Sequence, residues 1–130
     1  MQEPTGQASH TQPCKILVVE DQDLLSELIA EELADAFEVL RASSVAEGID
    51  LLLAAAVDLV LLDCVLPGGT MWQVVLEADR QNVPVVLMTG DAGQMKDIAG
   101  GPRPYILKPF ALHDLRVAVE KAMRARKSGP

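Results

Sequence analysis

Residues 58–69 read Asp58-Leu59-Val60-Leu61-Leu62-Asp63-Cys64-Val65-Leu66-Pro67-Gly68-Gly69, and the order of residue types in this stretch decides the fold. Leu59 to Leu62 is a short unbroken apolar run, the pattern of a strand covered on both faces. Asp63 ends it, and Pro67, Gly68 and Gly69 form a loop that cannot continue it. The same grammar recurs along the chain. Lys15 to Val19 is an apolar, β-prone run followed by Glu20 and Asp21, Val83 to Met88 is followed by Thr89, and Tyr105 to Leu107 is followed by Lys108. Phe37 to Arg41 is a further short strand without a comparable polar terminus.

Helical patterns fill the intervals. Leu25, Leu28, Ile29, Leu33 and Ala36 recur at three-to-four spacing with Glu27, Glu31 and Asp35 opposite them. Ser44-x-x-Glu47 is a capping box that opens a helix running to about Ala55. A helix spans Met71 to Arg80, and a last one carries Leu112, Leu115, Val119, Ala122 and Met123 on one face. Lys121, Arg124, Arg126 and Lys127 near its end suit the negative pole of the helix dipole. Between Thr89 and Pro104, glycines and Pro102 leave room only for a short, frayed fourth helix around Gln94 to Ala99. Strands alternating with helices, the strands nearly free of polar residues, predict an α/β fold with a doubly wound, five-stranded parallel sheet in the order 2-1-3-4-5.

The remaining composition narrows the function. At 130 residues the chain predicts one domain, residues 14–127, between a flexible tail at 1–13 and a short one at 128–130. Lys and Arg total 11 against 19 Asp and Glu, a formal charge of −8 that repels phosphate backbones and argues against nucleic acid as a partner. Cys14 and Cys64 have neither zinc-site nor disulfide-framework spacing. The first thirteen residues hold no secretory pattern, and the apolar region Leu51 to Leu66 is interrupted by Asp58 and Asp63, short of a membrane span. The expected location is therefore the cytoplasm, away from membranes.

In the 2-1-3-4-5 order, strands one and four flank strand three at about 4.8 Å, and strand five lies about 10 Å from it. Glu20, Asp21, Asp63, Thr89 and Lys108 would then meet at the carboxyl ends of the strands, where ligands bind in open α/β sheets. Carboxylates so close repel one another unless a cation joins them, and magnesium takes oxygen ligands of this kind together with a substrate phosphate. Asp63 then reads as a nucleophile toward phosphorus, Thr89 as a hydroxyl donor to phosphoryl oxygens, and Lys108 as the positive partner of developing charge.

Four motifs carry a resemblance. Residues 15–21 (Lys-Ile-Leu-Val-Val-Glu-Asp), 58–68 (Asp-Leu-Val-Leu-Leu-Asp-x-x-Leu-Pro-Gly), 84–90 (Pro-Val-Val-Leu-Met-Thr-Gly) and 105–110 (Tyr-Ile-Leu-Lys-Pro-Phe) look like those of bacterial response-regulator receiver domains, over about residues 14–126. The resemblance implies a flavodoxin-like fold and a stand-alone receiver with Asp63 as phospho-acceptor. It implies Mg2+ held by Asp21, Asp63 and the main-chain carbonyl of Val65, with Glu20 assisting through water. Thr89 and Lys108 become the switch hydroxyl and the lysine of the site, and the Lys108–Pro109 bond is expected to be cis. The implied donor is a sensor histidine kinase or a histidine phosphotransfer protein, and the implied output is protein contact or phosphorelay, with no enzymatic action on external substrates. Met71 stands where the family has Gly, Val65 sets an aliphatic side chain beside the site, and the segment from Thr89 to Lys108 is short. That segment and the Thr89-Gly90 pair also resemble the receivers called FATGUY regulators, with Leu87-Met88 in place of their Phe-Ala.

Each residue also has a plain structural reading. Asp63 can cap the next turn, Glu20 and Asp21 can cap the first helix, Thr89 can be a turn hydroxyl and Lys108 a solvated charge. Tyr105 is either a reporter of switching or a strand tyrosine. Trp72 reads as a packing residue or an exposed contact, Cys64 as a small buried apolar residue, and His113 as surface. Two other functions remain open: an unphosphorylated pseudo-receiver acting by protein contact, and a haloacid-dehalogenase-type phosphatase. The phosphatase needs a second Asp two residues after the nucleophile, where this chain has Val65.

Overall fold

The computed structural model describes residues 13–93 and 103–128, with no account of the side chains of residues 127 and 128. The short helix expected around 94–99 lies outside the described residues, as do residues 1–12 and 129–130 of the expected tails. Among the described residues, nine elements follow in chain order: β1 Cys14–Val19, α1 Asp23–Leu33, β2 Phe37–Ala42, α2 Val45–Ala54, β3 Leu59–Asp63, α3 Met71–Arg80, β4 Val85–Thr89, β5 Tyr105–Leu107 and α4 Leu112–Ser128. The sheet order is β2-β1-β3-β4-β5, every pair parallel, as the alternation of strand and helix predicts.

Strand alternation divides the core into two layers. Leu17, Val19, Val60, Leu62, Val85 and Leu87 turn to one face, where they meet Val45 and Leu52 of α2 and Met71, Val74, Val75 and Ala78 of α3. Ile16, Val18, Leu59, Leu61, Val86 and Met88 turn to the other, against Ile29 and Leu33 of α1 and Leu115, Val119 and Met123 of α4. Met71, where a glycine was expected from the resemblance, is thus a core residue. Burying each such aliphatic side chain contributes about 1.5–3 kcal/mol, so the central strands need hydrocarbon at every position.

The margins differ from the sequence expectation. β5 is the edge strand that the order 2-1-3-4-5 makes it, and its Tyr105 and Leu107 are exposed by 43% and 44%. Val83 and Pro84 stand before β4 because proline has no N–H for the ladder; the Pro84 carbonyl still accepts from Val60 N–H at 3.0 Å. The capping box at α2 is half formed. Ser44 Oγ accepts from Glu47 N–H at 3.2 Å, but the Glu47 carboxylate accepts from Ser43, at 2.7 Å from its N–H and 2.8 Å from its hydroxyl. Arg126 does more than complement a helix dipole, since it pairs with Asp58 at 2.9 Å while Asp58 also accepts from Lys15 N–H at 2.7 Å.

The loop after β3 has its own lock. Thr70 N–H donates to Gln73 Oε1 at 2.9 Å at the start of α3. Gly69, at φ +138°, makes room for this bond, because a Cβ there would stand 2.2 Å from Gln73 Oε1. A Gly69→Ala variant should therefore lose about 1–2 kcal/mol of stability in chemical denaturation. Gly90→Ala, which meets nothing within 4 Å, should be neutral or slightly stabilising. Equal losses in both variants would remove this explanation of the loop.

A second tie joins the outer helices: Arg116 donates to the Glu32 carbonyl at 2.6 Å and to both Asp35 oxygens at 2.9 and 3.0 Å. Its guanidinium holds the Asp35 carboxyl below its ordinary value of 3.8. A depressed carboxylate contributes stability above its unfolded value and loses it as pH falls through the folded one. The stability difference between wild type and Arg116→Ala should accordingly shrink as pH drops below the ordinary Asp value, as read by denaturation at a series of pH values.

Candidate functional site

The strands end where their side chains change from hydrocarbon to polar groups, and the ladder continues just far enough to fix those groups. Glu20 N–H donates to Ala42 O at 3.0 Å, Cys64 N–H to Met88 O at 3.0 Å, and Lys108 N–H to Thr89 O at 2.7 Å. Asp63 and Thr89 are themselves the last residues of β3 and β4, so each strand runs one residue further than its apolar run. Glu20, Asp63 and Thr89 are 1%, 6% and 2% exposed, whereas Asp21 faces solvent.

Lys108 joins two of the carboxylates. Its Nζ donates to Glu20 Oε1 at 2.9 Å and stands 3.3 Å from Asp63 Oδ2. The second Glu20 oxygen accepts from Gln22 N–H at 3.1 Å, so Glu20 anchors the chain entering α1 without capping the helix through a side chain of the N-cap residue. Asp63 Oδ1 accepts from Val65 N–H at 3.2 Å, and the Val65 side chain is 76% exposed beside it. Thr89 Oγ1 accepts from Asp91 N–H at 3.1 Å and lies 3.3 Å from the Asp91 carbonyl. The Lys108–Pro109 peptide is cis.

Burial pushes the Glu20 carboxyl above its usual range, against the opposing pull of hydrogen bonds from Lys108 and Gln22. For Lys108, burial works to lower the ammonium, but the Glu20 hydrogen bond and the charges of Asp63 and Glu20 outweigh it and hold the group above its ordinary value. Burial likewise pushes the Cys64 thiol up.

Glu20, Asp21 and Asp63 each offer a carboxylate oxygen within 4.8 Å of the others. Fully ionised, they outnumber the single Lys108 ammonium by two charges. An all-oxygen donor set with that excess fits a hard divalent cation. The structure thus brings together Glu20, Asp21, Asp63 and Lys108, with Thr89 on the adjacent strand end and Val65 on the loop. Sequence reasoning did not find the Asp91 turn that engages Thr89 or the Gln73 lock on the loop. A Thr-x-Asp turn at a strand end and the Thr70-x-x-Gln73 spacing were the available signals.

A family model described as the response regulator receiver domain matches residues 16–120. The chain belongs to that family. This receiver domain is 32% identical over 126 residues to hybrid signal transduction histidine kinase D of Dictyostelium discoideum, covering 92% of this chain and 8% of that protein. It is 33% identical over 116 residues to the probable transcriptional regulatory protein SilR of Salmonella typhimurium, covering 85% of this chain and 51% of that one. It therefore spans about half or less of the length of these curated relatives. The crystal structure of a response regulator receiver protein from Sinorhizobium medicae matches with a TM-score of 0.78 and 28% identity, over 88% of this chain and 97% of that one. The family places the chain among the receiver domains of response regulators. Among the described residues, no helix is long and apolar enough to cross a membrane.

The Lys108 ammonium should carry much of the site's stability. Lys108→Met, measured by urea denaturation in EDTA at neutral pH, should cost about 2 kcal/mol or more because it leaves buried carboxylates uncompensated. Adding Glu20→Gln to that variant should recover part of the loss. An unchanged midpoint in Lys108→Met would show that the carboxylates do not depend on the lysine.

Proposed function

We propose that Asp63 is the phospho-acceptor of this receiver, taking a phosphoryl group from a phosphohistidine of a sensor histidine kinase or a histidine phosphotransfer protein. One Asp63 oxygen forms the new P–O bond as the P–N bond of the donor breaks, and the departing imidazole keeps the electron pair and takes a proton. The observation that carries this reading is the convergence of the Glu20, Asp21 and Asp63 oxygens within 4.8 Å, with Lys108 Nζ 3.3 Å from Asp63.

Glu20, Asp21 and Asp63, with the Val65 carbonyl, are the residues that would hold Mg2+. When bound, the ion neutralises charge on the phosphoryl oxygens and on the carboxylates that face them. Lys108 supplies a second positive group to the same oxygens, and Thr89 supplies a hydroxyl once it turns from Asp91. The added phosphoryl charge favours the arrangement in which both contacts form, so the domain works as a two-state switch rather than as an enzyme on external substrates. Its signal leaves by protein contact or by onward phosphoryl transfer, in the cytoplasm.

Incubation with acetyl phosphate and magnesium should add the mass of one phosphoryl group to the wild type, and EDTA or Asp63→Asn should abolish the addition. Absence of the adduct in the wild type would favour an interaction module that takes no phosphoryl group. Millimolar magnesium should also raise the melting temperature, and Asp21→Asn should remove most of that rise. An equal rise in the variant would overturn the ligand assignment.

A further inference from the structure

Ser26, Ile29 and Leu33 are the buried residues of α1, so a serine occupies a place in the stripe that otherwise packs on hydrocarbon. It is 3% exposed, and a hydroxyl so deeply buried needs a partner. The partner comes from β2. Phe37 and Val39 turn to the layer that α1 covers, and alternation turns Arg41, in register with Val18, to the same face. There its Nε donates to Ser26 Oγ at 2.8 Å, and its Nη2 donates to the Asp23 carbonyl at 3.2 Å and to Asp23 Oδ1 at 2.7 Å. The Asp23 side chain is 93% exposed, so the ion pair itself contributes little. A cation at a helix N-terminus is also disfavoured by the helix dipole. What the arginine adds is the pair of bonds to Ser26 and to the Asp23 carbonyl, which fix the first turn of α1 to the end of β2.

Only Glu20, Asp21 and Gln22 stand between β1 and α1. Glu20 is held at one end by the bond from its N–H to the Ala42 carbonyl and by the bond its carboxylate accepts from Lys108. Arg41, the neighbour of Ala42, holds the other end. Asp21 lies between them and is exposed, so the main chain on either side of it places its carboxylate. We infer that Arg41 is a positioning residue for magnesium: by clamping the start of α1 through Ser26 and Asp23, it keeps the Asp21 carboxylate in the group it forms with Glu20 and Asp63. The inference rests on the proposed role of Asp21 as a metal ligand. Charge alone would act in the opposite sense. Arg41 and Glu20 line one cavity of about 200 Å3, and a cation that near the carboxylates repels magnesium.

A magnesium titration of the isotope-labelled full chain, followed by its amide shifts in NMR under conditions where every variant is folded, separates the two effects. Arg41→Lys keeps the charge but loses the planar fork, and should bind magnesium about three- to tenfold more weakly than wild type. Ser26→Ala, which changes no charge, should weaken binding about two- to threefold. Adding it to Arg41→Lys should cause little further loss, because both substitutions break one contact. Urea midpoints in EDTA report stability separately. Unchanged magnesium affinity in Arg41→Lys, whatever its midpoint, would make Arg41 a structural brace and overturn the inference. Tighter binding in that variant, or losses that simply add in the double variant, would overturn it as well, and each of these results leaves the proposed function intact. If wild type itself does not bind magnesium, the proposed ligand set fails, and this inference fails with it.

Discussion

Glu20 and Asp63 are carboxyl groups sunk to the level of a hydrocarbon core, and one ammonium lies between them. That contact constrains the rest of the molecule. A buried carboxylate without a partner costs several kcal/mol, so the ends of β1 and β3 have to lie within reach of a lysine that enters from β5. In the observed strand order Lys108 leaves the sheet at its edge, and its stem reaches past β4 to both carboxylates. Sheet topology and site electrostatics are therefore a single requirement.

The two apolar layers serve that requirement from below. The strands under Glu20, Asp63 and Thr89 are buried on both faces by helices, so their carboxyl ends are held with little freedom. The loops above are held by local polar bonds: Gln22 N–H to Glu20, Val65 N–H to Asp63, Asp91 N–H to Thr89, and Thr70 N–H to Gln73. The division suits a switch, because hydrogen bonds of about 1 kcal/mol each can exchange while the hydrocarbon beneath stays in place.

Strand order, the helix at Met71 to Arg80 and the meeting of Glu20, Asp21, Asp63 and Lys108 were legible in the sequence because each follows from a run of apolar residues and the polar residue that ends it. What was not legible depends on neighbours distant in sequence. Arg126 reads as a helix-end cation until Asp58 is found opposite. Glu47 satisfies the capping-box spacing, yet its carboxylate binds Ser43, because a hydroxyl and an amide of one residue together outcompete a single amide.

The sheet's two margins are also defended differently. β5 offers only three residues of open backbone, and β2, with six, carries the exposed charges of Glu38 and Arg41. A short edge gives an intruding strand little to grip, and a charged one makes docking costly. The consequence is that both margins disfavour edge-to-edge pairing with another chain.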